Sequence, residues 1–258
     1  MLVCRGMSSA PQTVRELLTQ ELPNLYAFAY QMCGARSEAA RFTEELTQQV
    51  GRLDDQKLLN DGDPGRTLLG MMARHMEESL GRRSEHSFDS LDTILRSDIT
   101  RPIDLSSVGM TDEPTKVHLM LWELKRTCLT SVLGCLPPGV RLSFVLTDLV
   151  GLSPSEAAEM LGIKESAYRV RLTRARKRIE DYLAPRCFHV DRDNPCSCTG
   201  RLMIALDAGF VKPPTSADDI PHEPHNVGGP QRDVGSLYRG LPKVALPTSD
   251  IERLAGSV

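Results

Sequence analysis

The chain is predicted to be all-α: two small helical domains joined by a flexible linker, followed by a mostly disordered C-terminal tail. Three observations predict this. Apolar residues recur at spacings of three and four through most of residues 11–183, the period of a helix facing a core. Aromatic residues are 5% of the chain and no long β-branched alternation occurs. From Lys212 onward proline and glycine crowd the sequence and no period survives.

The first domain is placed at residues 11–86. Leu17, Leu18, Leu22, Leu25, Tyr26, Phe28 and Ala29 give an apolar face over 11–33, with Pro23 predicting a break or the start of a second segment near Asn24. Gly34 interrupts, and Ser37 is expected to cap a helix carrying Phe42, Leu46, Val50 and Leu53. Residues 59–65 are loop-forming. A further helix is predicted from Thr67 to about Arg83, with Leu68, Leu69, Met72, Met76 and Leu80 inward. His75, His86 and His118 are read as surface or helix-packing residues.

An acidic linker, residues 87–114, holds Asp89, Asp92, Asp98, Asp104, Asp112 and Glu113 among breakers Pro102, Gly109 and Pro114. The second domain spans 115–184. Its first helix carries Leu119, Trp122, Leu129, Val132 and Leu133; the next runs from Val140 to about Val150 after Pro137-Pro138-Gly139. A cysteine-containing extension covers 185–211, with a short helix over about 200–208, and the tail covers 212–258.

Residues 152–183 are the most informative stretch. Gly151 suits a left-handed helix end, Ser153-Pro154-Ser155-Glu156 makes a capping box, and Gly162 permits a turn. The helix predicted from about Lys164 to Leu183 has a stripe of Tyr168, Leu172, Ala175, Ile179 and Tyr182/Leu183. Seven basic residues against Glu165 give Lys164–Arg178 a charge of +6; the whole chain is −3, so the remainder carries −9. A helix-turn-helix whose second helix enters the DNA major groove accounts for cap, turn, stripe and charge together. The competing reading is an arginine-rich amphipathic surface helix. The DNA-binding candidates are Lys164, Arg169, Val170, Arg171, Thr173, Arg174, Arg176 and Lys177.

Leu136-Pro137-Pro138, Gly151-Leu152-Ser153, Glu156-Ala157-Ala158, Leu161-Gly162-Ile163 and Arg169-Val170-Arg171-Leu172-Thr173-Arg174-Ala175-Arg176 together resemble region 4 of the extracytoplasmic-function sigma factors. The resemblance implies a domain that reads the −35 promoter element and touches the polymerase β-flap. Arg169, Val170, Thr173 and Arg174 fall at its base- and phosphate-contacting positions, Arg171 and Arg176 at its basic flank. Tyr26-Ala27-Phe28-Ala29 and Leu68-Leu69-Gly70-Met71-Met72-Ala73-Arg74-His75 are similar to the family's region 2, diverged in places. Leu68 stands where the family has Trp and His75 where it has Asn. The acidic segment that grips the polymerase clamp is replaced by Arg41-Phe42-Thr43-Glu44-Glu45 in frame, or Glu45-Leu46-Thr47-Gln48-Gln49 if shifted.

Seven cysteines fit a reducing compartment better than a disulfide framework. Cys4, Cys33, Cys128 and Cys135 are scattered and read as incidental thiols. Cys187, His189, Cys196 and Cys198 cluster around a proline turn, and are ligand types of a tetrahedral zinc site, with His222 or His225 as substitutes for His189. An iron–sulfur cluster, a redox-responsive thiol set and a plain surface loop stay open beside zinc.

No run of 18 apolar residues occurs, and residues 1–7 lack the apolar core of a secretion signal, with Met7 a second candidate start. A cytoplasmic protein with no membrane partner is expected. No phosphate loop, carboxylate pair or nucleophile motif is present, so no enzymatic activity and no required cofactor are expected. The resemblance implies a sigma factor with core RNA polymerase, promoter double-stranded DNA and an anti-sigma factor as partners. The alternative is a helix-turn-helix transcription regulator that no longer acts as a sigma subunit.

Overall fold

The computed structural model describes residues 11–95, 99–109, 113–212 and 233–258. Cys4, Met7, Asp98, Asp112, His222 and His225 lie outside them. Among the described residues every regular element is helical; an isolated bridge between Cys187 and Cys196 is the extended pairing present. No described helix is long and apolar enough to cross a membrane.

Two compact units form, each from segments distant in sequence. The first gathers the chain up to Arg83, Pro138–Leu172 and Lys243–Val258; the second gathers Ser84–Pro137 and Thr173–Pro242. The helices before Arg83 therefore share a unit with residues 138–172, which a reading along the chain does not anticipate.

In the first unit, α1 (Val14–Cys33) is capped by Thr13, whose hydroxyl accepts from the Glu16 N–H, and ends at Gly34 with φ 70°. Pro23 does not break it. Proline removes one helical N–H, but Leu17, Leu18, Leu22, Leu25 and Tyr26 are all buried on either side. Their shared burial outweighs the local cost.

Helix α2 (Arg36–Val50) starts one residue before Ser37, from Ala35, without a side-chain cap. It stops at Val50, so Leu53 is exposed instead of continuing the apolar row. A short α3 (Asp55–Leu59), capped by Asp54, occupies part of the expected loop. Helix α4 (Pro64–Leu80) begins earlier than predicted because Asp63 caps it and Pro64 supplies its first position.

The first unit is closed by α7 (Pro138–Phe144), a π-helical segment (Val145–Val150) and α8 (Pro154–Leu161). α1 packs on α2, α4 and α7, and α4 packs on α7 and α8. Arg141 of α7 is buried and donates to the Met32 carbonyl near the end of α1.

In the second unit, residues 87–114, read as an acidic linker, carry short helical elements. Residues 88–95 form α5 (Phe88–Leu95), Leu105–Val108 form a 3₁₀ turn, and Leu91, Leu95 and Leu105 are buried. Helix α6 (Pro114–Gly134) packs against α10 (Cys198–Asp207). Leu105, Met120, Leu121, Leu124, Leu202, Met203, Ala205 and Val211 form its core.

Within the stretch expected to be a disordered tail, residues 233–258 are described and hold α11 (Val234–Arg239) and α12 (Thr248–Ala255). Val234, Leu237, Tyr238, Leu254 and Ala255 are buried, at helical spacings too short to register as a periodic run. α12 packs on α1 and α2 within the first unit.

Candidate nucleic-acid interface

The second helix of the predicted helix-turn-helix rests on a platform that local chemistry builds. The π-helical segment ends at Gly151, φ 95°, whose N–H donates to the Leu146 carbonyl at 3.1 Å. Glu156 N–H donates to Ser153 Oγ at 3.3 Å, and Ser153 N–H donates to Glu156 Oε2 at 2.8 Å. That reciprocal pair satisfies two helix-end donors of α8. Gly162, φ 66°, makes the turn, and α9 (Glu165–Leu183) follows.

Arg66 on α4 adds a 3.0 Å ion pair to Glu156. The Glu156 carboxyl is held down to about 2, first by the Ser153 side chain, then by the Ser153 backbone N–H and Arg66. A lowered folded-state value stabilises the fold above the ordinary glutamate range, and that stabilisation is lost as pH falls toward 2. Glu156→Gln is expected to flatten the acid limb of stability between about pH 4.5 and 2. Ser153→Ala is expected to cost about 1 kcal/mol in a denaturant midpoint measurement at neutral pH.

Tyr168 anchors the start of α9. It is fully buried, its hydroxyl donates to the Ser143 carbonyl at 2.9 Å, and Thr147 Oγ1 lies 2.9 Å from the same oxygen. Leu172, Ala175, Ile179, Tyr182 and Leu183 are buried along the helix, as the stripe predicts.

The opposite side of α9 is exposed: Lys164, Arg169, Val170, Thr173, Arg174, Arg176 and Lys177 all face solvent. Val170 is 49% exposed, an apolar group left uncovered amid cations. Arg169 pairs with Glu165 at 2.6 Å and Lys177 with Asp181 at 3.3 Å, both at i,i+4 on the surface. Such pairs are worth a few tenths of a kcal/mol and yield readily to phosphate. Arg171 is placed differently. It is half-buried and gives its guanidinium to Glu77 of α4 at 2.8 Å.

Residues 126–179 match the family described as Sigma-70, region 4. The chain is 29% identical over 183 residues to the ECF RNA polymerase sigma factor SigE of Mycolicibacterium smegmatis, covering 69% of this chain and 65% of that protein. It is 35% identical over 81 residues to the RNA polymerase sigma factor CnrH of Cupriavidus metallidurans, covering 31% of this chain and 42% of that one. The chain thus spans less than two thirds of the length of either relative. Over the matched lengths the chain is similar to RNA polymerase sigma factors, and its residues 126–179 are a Sigma-70 region 4 match. Among solved structures it is similar to the sigma factor RpoE from Bartonella quintana, crystallised with the anti-sigma factor NepR. That match is 18% identical over 66% of this chain and 95% of the other, with a TM-score of 0.42.

Along residues 41–49, α2 turns Phe42 and Leu46 fully inward. Glu45 is engaged by Arg41 at 2.6 Å and by His75 Nε2 at 2.7 Å. His75 packs its ring edge-on to Phe42 at 5.6 Å, the helix-packing role expected of it. Leu68 is buried in the first unit.

The extension behind region 4 is folded. Tyr182 stacks on Phe88 at 4.8 Å and donates to Asp92 at 2.9 Å, while Arg186 pairs with Asp92 at 3.2 Å. Cys187 and Cys196 form the bridge, with Phe188 N–H donating to the Cys196 carbonyl at 3.1 Å. Cys198 Sγ lies 3.4 Å from His189 Nε2. Among the described residues, no three of His, Cys, Asp and Glu converge closely enough to hold a metal ion.

Cys128 of α6 was not separable from the scattered thiols by spacing, yet it lies near this cluster. Burial pushes its thiol up first, and the charges that Cys196, Cys187, Cys198 and Cys135 would carry push it further. Burial likewise raises Cys187, Cys196 and Cys198. Lys125, one turn before Cys128, is buried and lowered by that burial, with Cys198 and Cys187 opposing the shift.

Proposed function

We propose that the chain is a sigma subunit that binds core RNA polymerase and directs promoter-specific initiation, with α9 reading a −35-like element. The supporting observation is the exposed face of α9. Arg169, Val170, Thr173 and Arg174 sit on a capped, Tyr168-anchored helix inside the stretch that matches region 4. Arginine forks reach guanine edges and phosphates, and Val170 offers an apolar contact for a thymine methyl. Lys164, Arg176 and Lys177 supply phosphate contacts along the flanks. Arg171 joins them only on leaving Glu77. The protein performs no chemistry of its own in this reading; polymerase carries out nucleotidyl transfer in the cytoplasm, and the sigma subunit contributes position and binding energy.

The arrangement of α2 favours a second reading, a helix-turn-helix regulator that has lost polymerase. Phe42 and Leu46 are inward and Glu45 is held by Arg41 and His75, where the family grips the clamp. A pull-down of the purified chain with bacterial core polymerase separates the two. Stoichiometric retention on core supports the sigma reading. Retention on duplex DNA without any on core overturns it in favour of the regulator.

A further inference from the structure

The extension behind α9 holds cysteines that promoter recognition does not use, and two of them stand directly opposite each other. Cys187 and Cys196 form a parallel bridge, closed by Phe188 N–H to the Cys196 carbonyl at 3.1 Å and by Cys196 N–H to the Arg186 carbonyl at 3.0 Å. Opposed residues on neighbouring strands carry their side chains on one face, with the strands about 4.7–4.9 Å apart. A disulfide joins Cα atoms about 4.4–6.8 Å apart, so this pair meets the requirement without a change in backbone path. Cys196 is the thiol that acts on Cys187. Cys198 is engaged elsewhere, its Sγ 3.4 Å from His189 Nε2.

The surroundings hold the pair in register. Cys187 N–H donates to the carbonyl of Leu183, the last residue of α9, at 2.8 Å. Asn194 Nδ2 bridges the Ala184 and Cys187 carbonyls at 2.7 and 3.0 Å. Buried Arg201 on α10 donates to the Pro195 carbonyl at 3.1 Å and to the Cys196 sulfur. Both thiols of the pair are half-buried and open to a small oxidant, whereas Cys135 is buried. Burial raises both thiols, which keeps thiolate attack slow. The pair therefore suits a sensor of sustained oxidant, not a fast scavenger.

We propose that Cys187 and Cys196 are an oxidative modification site, which a hydroperoxide converts to a disulfide that staples the end of α9 to the start of α10. One sulfur, as thiolate, attacks the peroxide; an S–O bond forms, the O–O bond breaks, and the leaving oxygen takes the proton that the thiol gave up. The second sulfur then displaces the sulfenic hydroxyl, which leaves as water with the second thiol's proton. The two sulfurs lose two electrons and the peroxide gains them. The bond closes a ten-residue loop over 187–196. Cys196 sits two residues before Cys198, the first residue of α10, and α10 packs on α6. The staple therefore ties the C-terminal end of α9 to the core made by α6 and α10. In reducing surroundings a bond of this kind is transient and is reversed by thiols. This assignment does not rest on the sigma reading.

The test treats the full chain, reduced and then freed of reductant, with hydrogen peroxide, and follows it by thiol alkylation and peptide mapping. The expected product is one intramolecular disulfide, a Cys187–Cys196 linked peptide lighter by two hydrogens, reversed by dithiothreitol. Its rate of formation should not depend on protein concentration. The oxidised chain should unfold at a midpoint several degrees above the reduced chain. Cys187→Ser and Cys196→Ser should each remove that shift while circular dichroism stays helical; Cys33→Ser and Cys198→Ser should leave the linked peptide and the shift intact. A disulfide through Cys198 or Cys128, a covalent dimer, or oxidation that runs to sulfinic acid on Cys187 or Cys196 overturns the proposal. So does a wild-type chain whose Cys187 and Cys196 stay alkylatable at peroxide levels that oxidise Cys33. A linked peptide without any change in midpoint overturns the staple.

Discussion

Tyr168→Ala should destabilise the fold by about 3–5 kcal/mol, the range for cutting a buried aromatic to alanine. Tyr168 is fully buried, so the truncation leaves a cavity beneath the first turn of α9, and it removes the hydroxyl's bond to the Ser143 carbonyl. Tyr168→Phe separates the two contributions. It keeps the ring and removes only the hydroxyl, so it should cost about 1 kcal/mol. Equilibrium denaturation of both variants checks the pair. A Phe variant as damaged as the Ala variant would mean that the hydroxyl network, not ring packing, seats the helix.

Arg174→Ala should weaken binding to a duplex carrying the recognised element by about 1–3 kcal/mol, roughly 5- to 150-fold, and relax preference at one base pair. The side chain is exposed on α9, and its loss opens no cavity. Thermal stability should therefore stay unchanged. Lys177→Ala provides the contrast. A phosphate contact is blind to sequence, so the loss should be smaller, uniform across duplexes, and visible as a salt slope shallower by about one. Equal losses on specific and random duplexes for Arg174→Ala would assign it to phosphate instead of base.

What was legible in the sequence follows from range. The capping box at Ser153 and Glu156, the turn at Gly162 and the Tyr168-to-Leu183 stripe are all set within a few residues, and the structure places each as expected. Exposure of Arg169, Val170, Thr173 and Arg174 follows from the same periodicity. Contacts made across long separations were not legible. Arg171 looks like its neighbours by period, but Glu77, far back in the chain, holds it. Cys128 looks incidental until α6 folds beside the extension.

Local rules also lost where tertiary burial outweighed them. Pro23 should break α1, yet buried leucines flank it on both sides. Residues 87–114 are rich in acids and breakers, but Leu91, Leu95 and Leu105 are enough to seat α5 and the 3₁₀ turn in a core. α11 and α12 are six and eight residues long, too short to carry a period through a proline-rich background.

The central claim is that α9 directs polymerase to a promoter. The most direct measurement mixes purified chain with bacterial core polymerase and a pool of promoter-bearing templates, and maps transcript 5′ ends. The account predicts new, discrete start sites sharing an upstream −35-like element, and their loss with Arg174→Ala although the variant still binds core. Start sites identical to those of core polymerase alone, with the chain bound to it, would contradict the account.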